Sequence, residues 1–393
     1  MNDLNPGLSS FRSQIGPLLF LTGIFYLNFV SRIVLGPLMP AIEKDLKVGH
    51  DEAGSFFLLI SMGYCFMVLI SGSVSSRVHH KRTIALSTIA VGGALLILGL
   101  SHHLWGIRFG LIALGMAAGL YIPSGIATVN ELVNPKDLGK AIAIHELAPN
   151  FGFVTAPFLV ELFLSHFSWQ EILILFGIVL IISGVFFYRF GKGGIILGQA
   201  PNFKLIRNIL VEPSFWIMIL FFALGVGASF GVYSMTPLYL VSERGMERTY
   251  ANTLLGLSRI STLGMCLLAG WMTDRLGLKL TLKVVFLTSG LITAMLSIAP
   301  GSWIVLIVFL QPMVAICFFP AGFVALSRMG SQDIKKVTVS LTIPFGVLLG
   351  GGAIPAGIGL IGELGSFSVG FIILGGLLIS GAILVRFLKF PDD

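Results

Sequence analysis

The sequence predicts an all-α polytopic membrane protein whose twelve transmembrane helices form two pseudo-symmetric six-helix bundles. Three observations predict it: apolar runs of membrane-spanning length, a one-sided distribution of basic residues, and landmarks that recur at a nearly constant offset. Of 393 residues, 55% are hydrophobic and 11% charged, with a mean hydropathy of +0.95. A soluble domain carries roughly 25% charged residues.

Crossing a hydrocarbon core of about 30 Å takes about 20 apolar residues in a helix. Such runs fall near 15–40, 53–77, 83–101, 104–131, 138–163, 170–189, 214–241, 250–272, 281–299, 302–328, 337–361 and 366–388. They lack the dyad alternation of barrel strands, and within one such run only a helix satisfies its own backbone. The polar start, "MNDLNPGLSSFRSQ", leads straight into a long apolar run, so a removable signal peptide is not expected.

An even number of spans places both termini on one side. Eighteen of the 25 lysines and arginines fall on that side, and four, Lys44, Lys47, Arg244 and Arg248, on the other. The positive-inside rule then makes both termini cytoplasmic, in a membrane of the bacterial inner-membrane type. The net charge of +7 is topology by this reading, and nucleic acid is not an expected partner.

Residues 190–213 form the longest polar interval and divide the chain into bundles 1–189 and 214–393. The bundles read as copies. Pro123 and Gly125 recur as Pro320 and Gly322 at an offset of 197, and Gly152 and Pro157 as Gly350 and Pro355 at 198. Gly72, Arg77 and Lys81 recur as Gly270, Arg275 and Lys279, again at 198.

"GWMTDRLGLK" (270–279) resembles the signature loop of the major facilitator superfamily, Gly-x-x-x-Asp-Arg-x-Gly-x-Lys/Arg, with Gly270, Asp274, Arg275, Gly277 and Lys279 all in place. "LGPLMPAIEKDL", "GMAAGLYIPSG" and "FSWQEILILFG" are similar to that family's first, fourth and sixth helices, and the resemblance covers essentially the whole chain. Where the family often carries a helix-four arginine, this chain has Leu111, with Arg108 nearly a turn further out. The resemblance implies a secondary transporter that alternates access to a midplane site, usually a monomer. No GxxxxGK[ST] run is present to bind a nucleotide.

In the signature loop, Asp274 is expected at the positive end of helix five near Leu138, joining the bundles on the cytoplasmic side. Its equivalent is Ser76 and that of Gly277 is His79, so the gate residues Gly72, Ser76, Arg77 and Lys81 should latch less firmly than the second set. The alternative is a loop that only anchors topology. Glu131 is expected to pair with Lys81 or Arg82.

Ionisable residues inside a span are costly unless paired or facing water. Arg32 lies beyond the midpoint of helix one toward the outside and Arg259 about 3 Å from that of helix eight. Each either binds an anion or forms a structural ion pair, while Arg108 is expected to snorkel outward. By resemblance, arginines at these places point to the organic-anion branches. His145 and Glu146 are proton-coupling candidates or members of a helix-end network with Glu131 and Lys140. Asn28, Tyr64, Tyr121, Asn150, Tyr233 and Gln311 are candidate neutral liners of the substrate site. "LLGGGAIPAGIG" predicts a closely packed, bendable helix eleven.

Cys65, Cys266 and Cys317 read as buried thiols, the doublets His79–His80 and His102–His103 are poor metal ligands, and no cofactor is expected. The function expected is transport of a mono- or dicarboxylate-like anion with protons. The alternatives are a proton-driven drug or metabolite exporter, a polytopic membrane enzyme and a sensor.

Overall fold

The computed structural model describes residues 11–198, 207, 209–329 and 332–388, without the side chains of 266, 267 and 332–337. The expected thiol of Cys266, the side chains of Lys335 and Lys336, and the residues Lys204 and Lys389 lie outside what is described.

Among the described residues the chain is helical throughout, and its spans follow the apolar runs. They are α1 Phe11–Leu46, α2 His50–Val78, α3 His80–Leu100, α4 Leu104–Leu132, α5 Pro135–Leu164 and α6 Trp169–Phe190. The second set comprises α7 Pro213–Ser242, α8 as the pair Arg248–Met265 and Leu268–Leu276 bent by 41°, α9 Leu278–Ile298, α10 Trp303–Ser327, α11 Thr338–Glu363 and α12 Phe367–Phe387.

Four spans break where a proline dictates it. Regular helix is interrupted at Val34 in α1, Leu120 in α4, Glu146 in α5 and Cys317 in α10, each three residues before a proline: Pro37, Pro123, Pro149 and Pro320. A proline has no N–H for the carbonyl four residues back, and its ring crowds that carbonyl, so the preceding turn gives way. In α7 and α11 the backbone relaxes into π-turns, Gly227–Gly231 and Leu348–Ala353. These two turns pack on each other, since a Cβ on Gly350 would lie 2.6 Å from the Gly227 nitrogen.

The duplication is visible in the packing. α3 meets α6 at Gly92 and Gly177, where an added Cβ would lie 2.5 Å and 2.8 Å from the partner's carbonyl oxygen. α9 meets α12 in the same way at Gly290 and Gly375, each an offset of 198 later, at 2.7 Å both ways. Backbone contact this close admits only glycine. The turns after α2 and α8 also match: His79 has φ 63° and ψ 155°, Gly277 φ 83° and ψ 156°.

The first six and last six spans touch mainly at the face opposite the amino terminus, here the far face. α1 meets α7 at Gly36 and Ser234, α2 meets α11 at Gly54 and Gly359, and α5 meets α8 at Phe158 and Gly256. An apolar core that takes in Leu38, Phe57, Met235, Leu254 and Ile358 seals this half. Toward the amino-terminal face, α5 below Glu146 packs on α1 and α4, and α8 below Ser261 packs on α9 and α10. The space between α5 and α8 therefore opens to that face.

Candidate functional site

Arg32 stands on α1 just before its break, 6% exposed, with its guanidinium 4.6 Å from the Tyr64 ring centre and 5.5 Å from that of Phe29. Its Nε has no hydrogen-bond partner. It borders a small cleft between the bundles, lined also by Phe57, Ile60, Ser61, Tyr64, Phe230, Val347 and Gly351.

Arg259 stands on α8, 2% exposed, 4.8 Å from the Phe153 ring and 4.9 Å from that of Tyr233. One Nη2–H donates to the Ser229 carbonyl at 2.9 Å, while Nε and the Tyr233 hydroxyl have no partner. The π-turn of α7 explains the available carbonyl, because widening the helical repeat loosens the backbone ladder there. A second small cleft lies behind Arg259 within the last six spans, beside Thr236, Ser258 and Gln311.

Aromatic rings fill the interval between the two arginines. Phe29 meets Phe153 at 5.2 Å, and Phe230 lies 5.7 Å from Phe153 and 6.2 Å from Phe29. Among the described residues no carboxylate lies within 4.0 Å of either guanidinium. Two buried cations without counter-ions, on either side of an aromatic cluster, form a site suited to an anion, whose charge would offset their desolvation.

Other candidates lie elsewhere. Asn28 is turned into the first bundle, where it donates to Ser87 Oγ at 3.2 Å and Ser87 donates to the Ala117 carbonyl at 2.6 Å. Tyr121 is fully buried and donates to the Leu21 carbonyl at 3.0 Å. Gln311 pins the α7 π-turn, donating to Ala228 O at 2.7 Å, and Asn150 donates to Glu146 O at 3.0 Å. Tyr64 and Tyr233 are the candidates that face the arginines.

His145, 0% exposed, is stacked on Phe25 at 4.5 Å. Its Nε2 lies 3.1 Å from the Tyr121 hydroxyl and its Nδ1 3.4 Å from Glu146 Oε1, while the Glu146 carboxylate is half-exposed. Lys140 pairs instead with Asp137 at 3.3 Å.

The signature loops depart from expectation. Asp274 and Arg275 are exposed, and Asp274 is not at the start of α5. That helix start already holds a carboxylate, the buried Asp137, which disfavours a second one there. Ser76 donates to its own helix at Ser73 O, 2.9 Å. Glu131 pairs with neither Lys81 nor Arg82; it accepts the backbone N–H groups of Ile195 and Ile196 at 3.3 and 3.5 Å. The chain after α6 lies along the first loop, Lys81 N–H donating to Gly194 O at 2.7 Å and Gly198 N–H to Ser75 O at 3.0 Å. Gly72 lies on α2 above this contact, while Gly270 faces open space. Arg108 does not simply snorkel: it grips Glu52 with two hydrogen bonds, 2.9 and 2.7 Å.

The sequence reading missed a cluster at the far face. Glu161 of α5 accepts from Arg248 Nε at 3.1 Å, Arg248 Nη2 at 3.3 Å, Thr249 Oγ1 at 2.9 Å and Asn252 Nδ2 at 2.6 Å. Asn252 also donates to the Pro37 carbonyl at 3.1 Å, joining α1, α5 and α8. On the neighbouring seam, Glu363 accepts the His50 N–H at 2.7 Å, and His50 Nδ1 lies 2.8 Å from Glu43. Just outside α8, Glu247 accepts the N–H groups of Thr249 and Tyr250, which hold its carboxyl below the usual range. An acidic residue a turn from the end of an apolar run was the available signal.

Two helical bundles joined at the far face and separated between α5 and α8 toward the other, around a central site, have the architecture of a secondary transporter. The chain belongs to the Major Facilitator Superfamily, whose sequence profile it matches over residues 19–343. It is similar to the membrane sensor protein UhpC of Escherichia coli, 21% identical over 324 residues that span 76% of this chain and 72% of that one. It is also similar to the probable L-galactonate transporter of Escherichia coli, 20% identical over 284 residues, 67% and 62% of the two chains. Among solved structures, an inward-facing bacterial homolog of the human lysosomal transporter Spinster superposes with a TM-score of 0.76 at 15% identity, over 97% of this chain and 96% of that one. Members of this family are transporters, and the chain is not an enzyme.

Proposed function

We propose that this transporter carries a small organic anion, mono- or dicarboxylate-like, across a cytoplasmic membrane together with protons. The amino-terminal face is the cytoplasmic one, so the conformation described is open inward. The bundles 1–189 and 214–393 rock against each other as bodies joined by residues 190–213, and one chain is the working unit. The observation that carries the anion reading is the pair Arg32 and Arg259, both buried, both with an unpartnered Nε, and neither with a carboxylate.

Proton coupling rests on donor and acceptor bookkeeping. The Leu21 carbonyl only accepts, so the Tyr121 hydroxyl hydrogen goes there and its oxygen accepts Nε2–H of His145. Nδ1 then faces the Glu146 carboxylate, lone pair to lone pair unless one proton sits between them. That proton is the one taken up, from the open space that Glu146 faces.

Reconstitution into liposomes tests the reading. Saturable uptake of carboxylates, stimulated by an inward proton gradient, is the expected result. Absence of uptake for every carboxylate in a broad panel overturns it. The relative named as a sensor supports a second reading, in which the anion binds and is not carried; binding without flux in the same vesicles would favour it.

A further inference from the structure

The anion reading leaves open what body the anion carries, and the residues around the arginines address that. We infer that the substrate is a carboxylate with an apolar or aromatic body, in preference to a polyhydroxylated sugar acid; the inference rests on the anion reading.

Of the eight residues around the cleft at Arg32, only Arg32, Ser61 and Tyr64 have polar side-chain atoms. Toward Arg259 the surroundings are the rings of Phe29, Phe153 and Phe230, packed on one another, between which a ligand body has to insert. The groups that ordinarily read sugar hydroxyls are carboxylates and free amides, and this part of the site is short of both. The Asn28 amide is committed to Ser87 within the first bundle. Gln311 is committed to the α7 π-turn and sits behind Arg259. Asn150 and Glu146 stand three and seven residues before Phe153 on α5, about 4.5 and 10 Å nearer the open face.

The donors left without partners, Nε of Arg32, Nε of Arg259 and the Tyr233 hydroxyl, suit one acidic head group at either end. An aromatic body between them gains edge and face contacts with the three phenylalanines. A hydroxylated body loses water at each hydroxyl that finds no partner, which weakens binding about tenfold or more per group.

The test is ligand-induced thermal stabilisation of the purified full-length chain, titrated with cinnamate and with galactonate. We expect cinnamate to half-saturate at a concentration at least about tenfold lower. Phe230→Asn, which removes a ring and supplies an amide, narrows that ratio by about the same factor; the melting profile without ligand confirms that the variant folds. If galactonate binds as well or better, and Arg259→Gln abolishes its binding, the inference fails while the anion reading stands. If neither compound binds, the inference fails, while the anion reading is decided by uptake of the broad carboxylate panel. An unaltered ratio in folded Phe230→Asn removes the aromatic cluster as the cause and overturns the inference.

Discussion

Glu161 of α5 and Arg248 of α8 form the one ion pair among the described residues that crosses between the bundles, with the two guanidinium donors on separate carboxylate oxygens. The duplication places Glu161 opposite Gly359 and Asn252 opposite Gly54, each at an offset of 198. One seam of the far face is therefore a polar clasp, α5 to α8. Its symmetry mate, α2 to α11, is backbone against backbone at Gly54 and Gly359, with Glu363 accepting the His50 N–H at its end.

Removing the clasp should favour opening at the far face. Glu161→Gln keeps the shape and loses the charge that gathers Arg248, Thr249 and Asn252, for which about 1–2 kcal/mol is reasonable at this partly exposed site. The expected outcome is a roughly tenfold rise in the far-face-open population. Spin labels at Lys44 and Ser242 report it as a longer distance component, and an unchanged distance distribution would show that the clasp carries no gating energy.

The glycine seam responds to volume. A Cβ at Gly359 would lie 2.3 Å from the His50 carbonyl and 3.0 Å from Gly54 Cα, so Gly359→Ala has to spread α2 from α11, at about 1–3 kcal/mol. Gly357, two residues away, has no atom within 4 Å of its Cβ direction. With the same labels, Gly359→Ala should shift the distances outward and Gly357→Ala should leave them in place.

His79 occupies backbone space that suits glycine, as its symmetry mate Gly277 shows. A non-glycine residue there stores about 1–3 kcal/mol, partly offset because glycine loses more chain entropy on folding. His79→Gly should raise the thermal midpoint of the purified protein and Gly277→His should lower it. A lower midpoint for His79→Gly would mean that the imidazole makes contacts worth more than the strain.

Glu146→Gln removes one owner of the shared proton and leaves His145 stacked on Phe25. Exchange of anion across the vesicle membrane without a gradient should persist, while accumulation driven by a pH gradient is lost. Accumulation equal to that of the unaltered protein would place the proton elsewhere.

The spans were legible because lipid demands long apolar helices, and the breaks in α1, α4, α5 and α10 fall three residues before prolines that the sequence displays. The rotation of each helix about its own axis was not legible. Spans apolar on every side carry no stripe to show which way Asn28, Tyr121 or Gln311 turns, and each is committed to a neighbouring helix. Partners far apart in sequence were hidden for a related reason: Glu161 and Arg248 are 87 positions apart, and only the packing of α5 on α8 brings them together. The signature loops differ in sequence at Ser76 and His79, and they differ in surroundings as well. The first loop holds the chain that follows α6 through Glu131, Ser75 and Lys81, while in the second loop Gly270 and Gly277 have no atom within 4 Å of their Cβ directions.

The central claim is that Arg259 and Arg32 hold the carried anion. The most direct test is carboxylate uptake into liposomes by the unaltered protein, Arg259→Gln and Arg32→Gln, each first shown to be folded. Loss of about 2–4 kcal/mol of charge-assisted binding, about thirtyfold or more in half-saturating concentration, is predicted for Arg259→Gln, with a smaller loss for Arg32→Gln. Uptake by Arg259→Gln that matches the unaltered protein in concentration dependence would contradict the account.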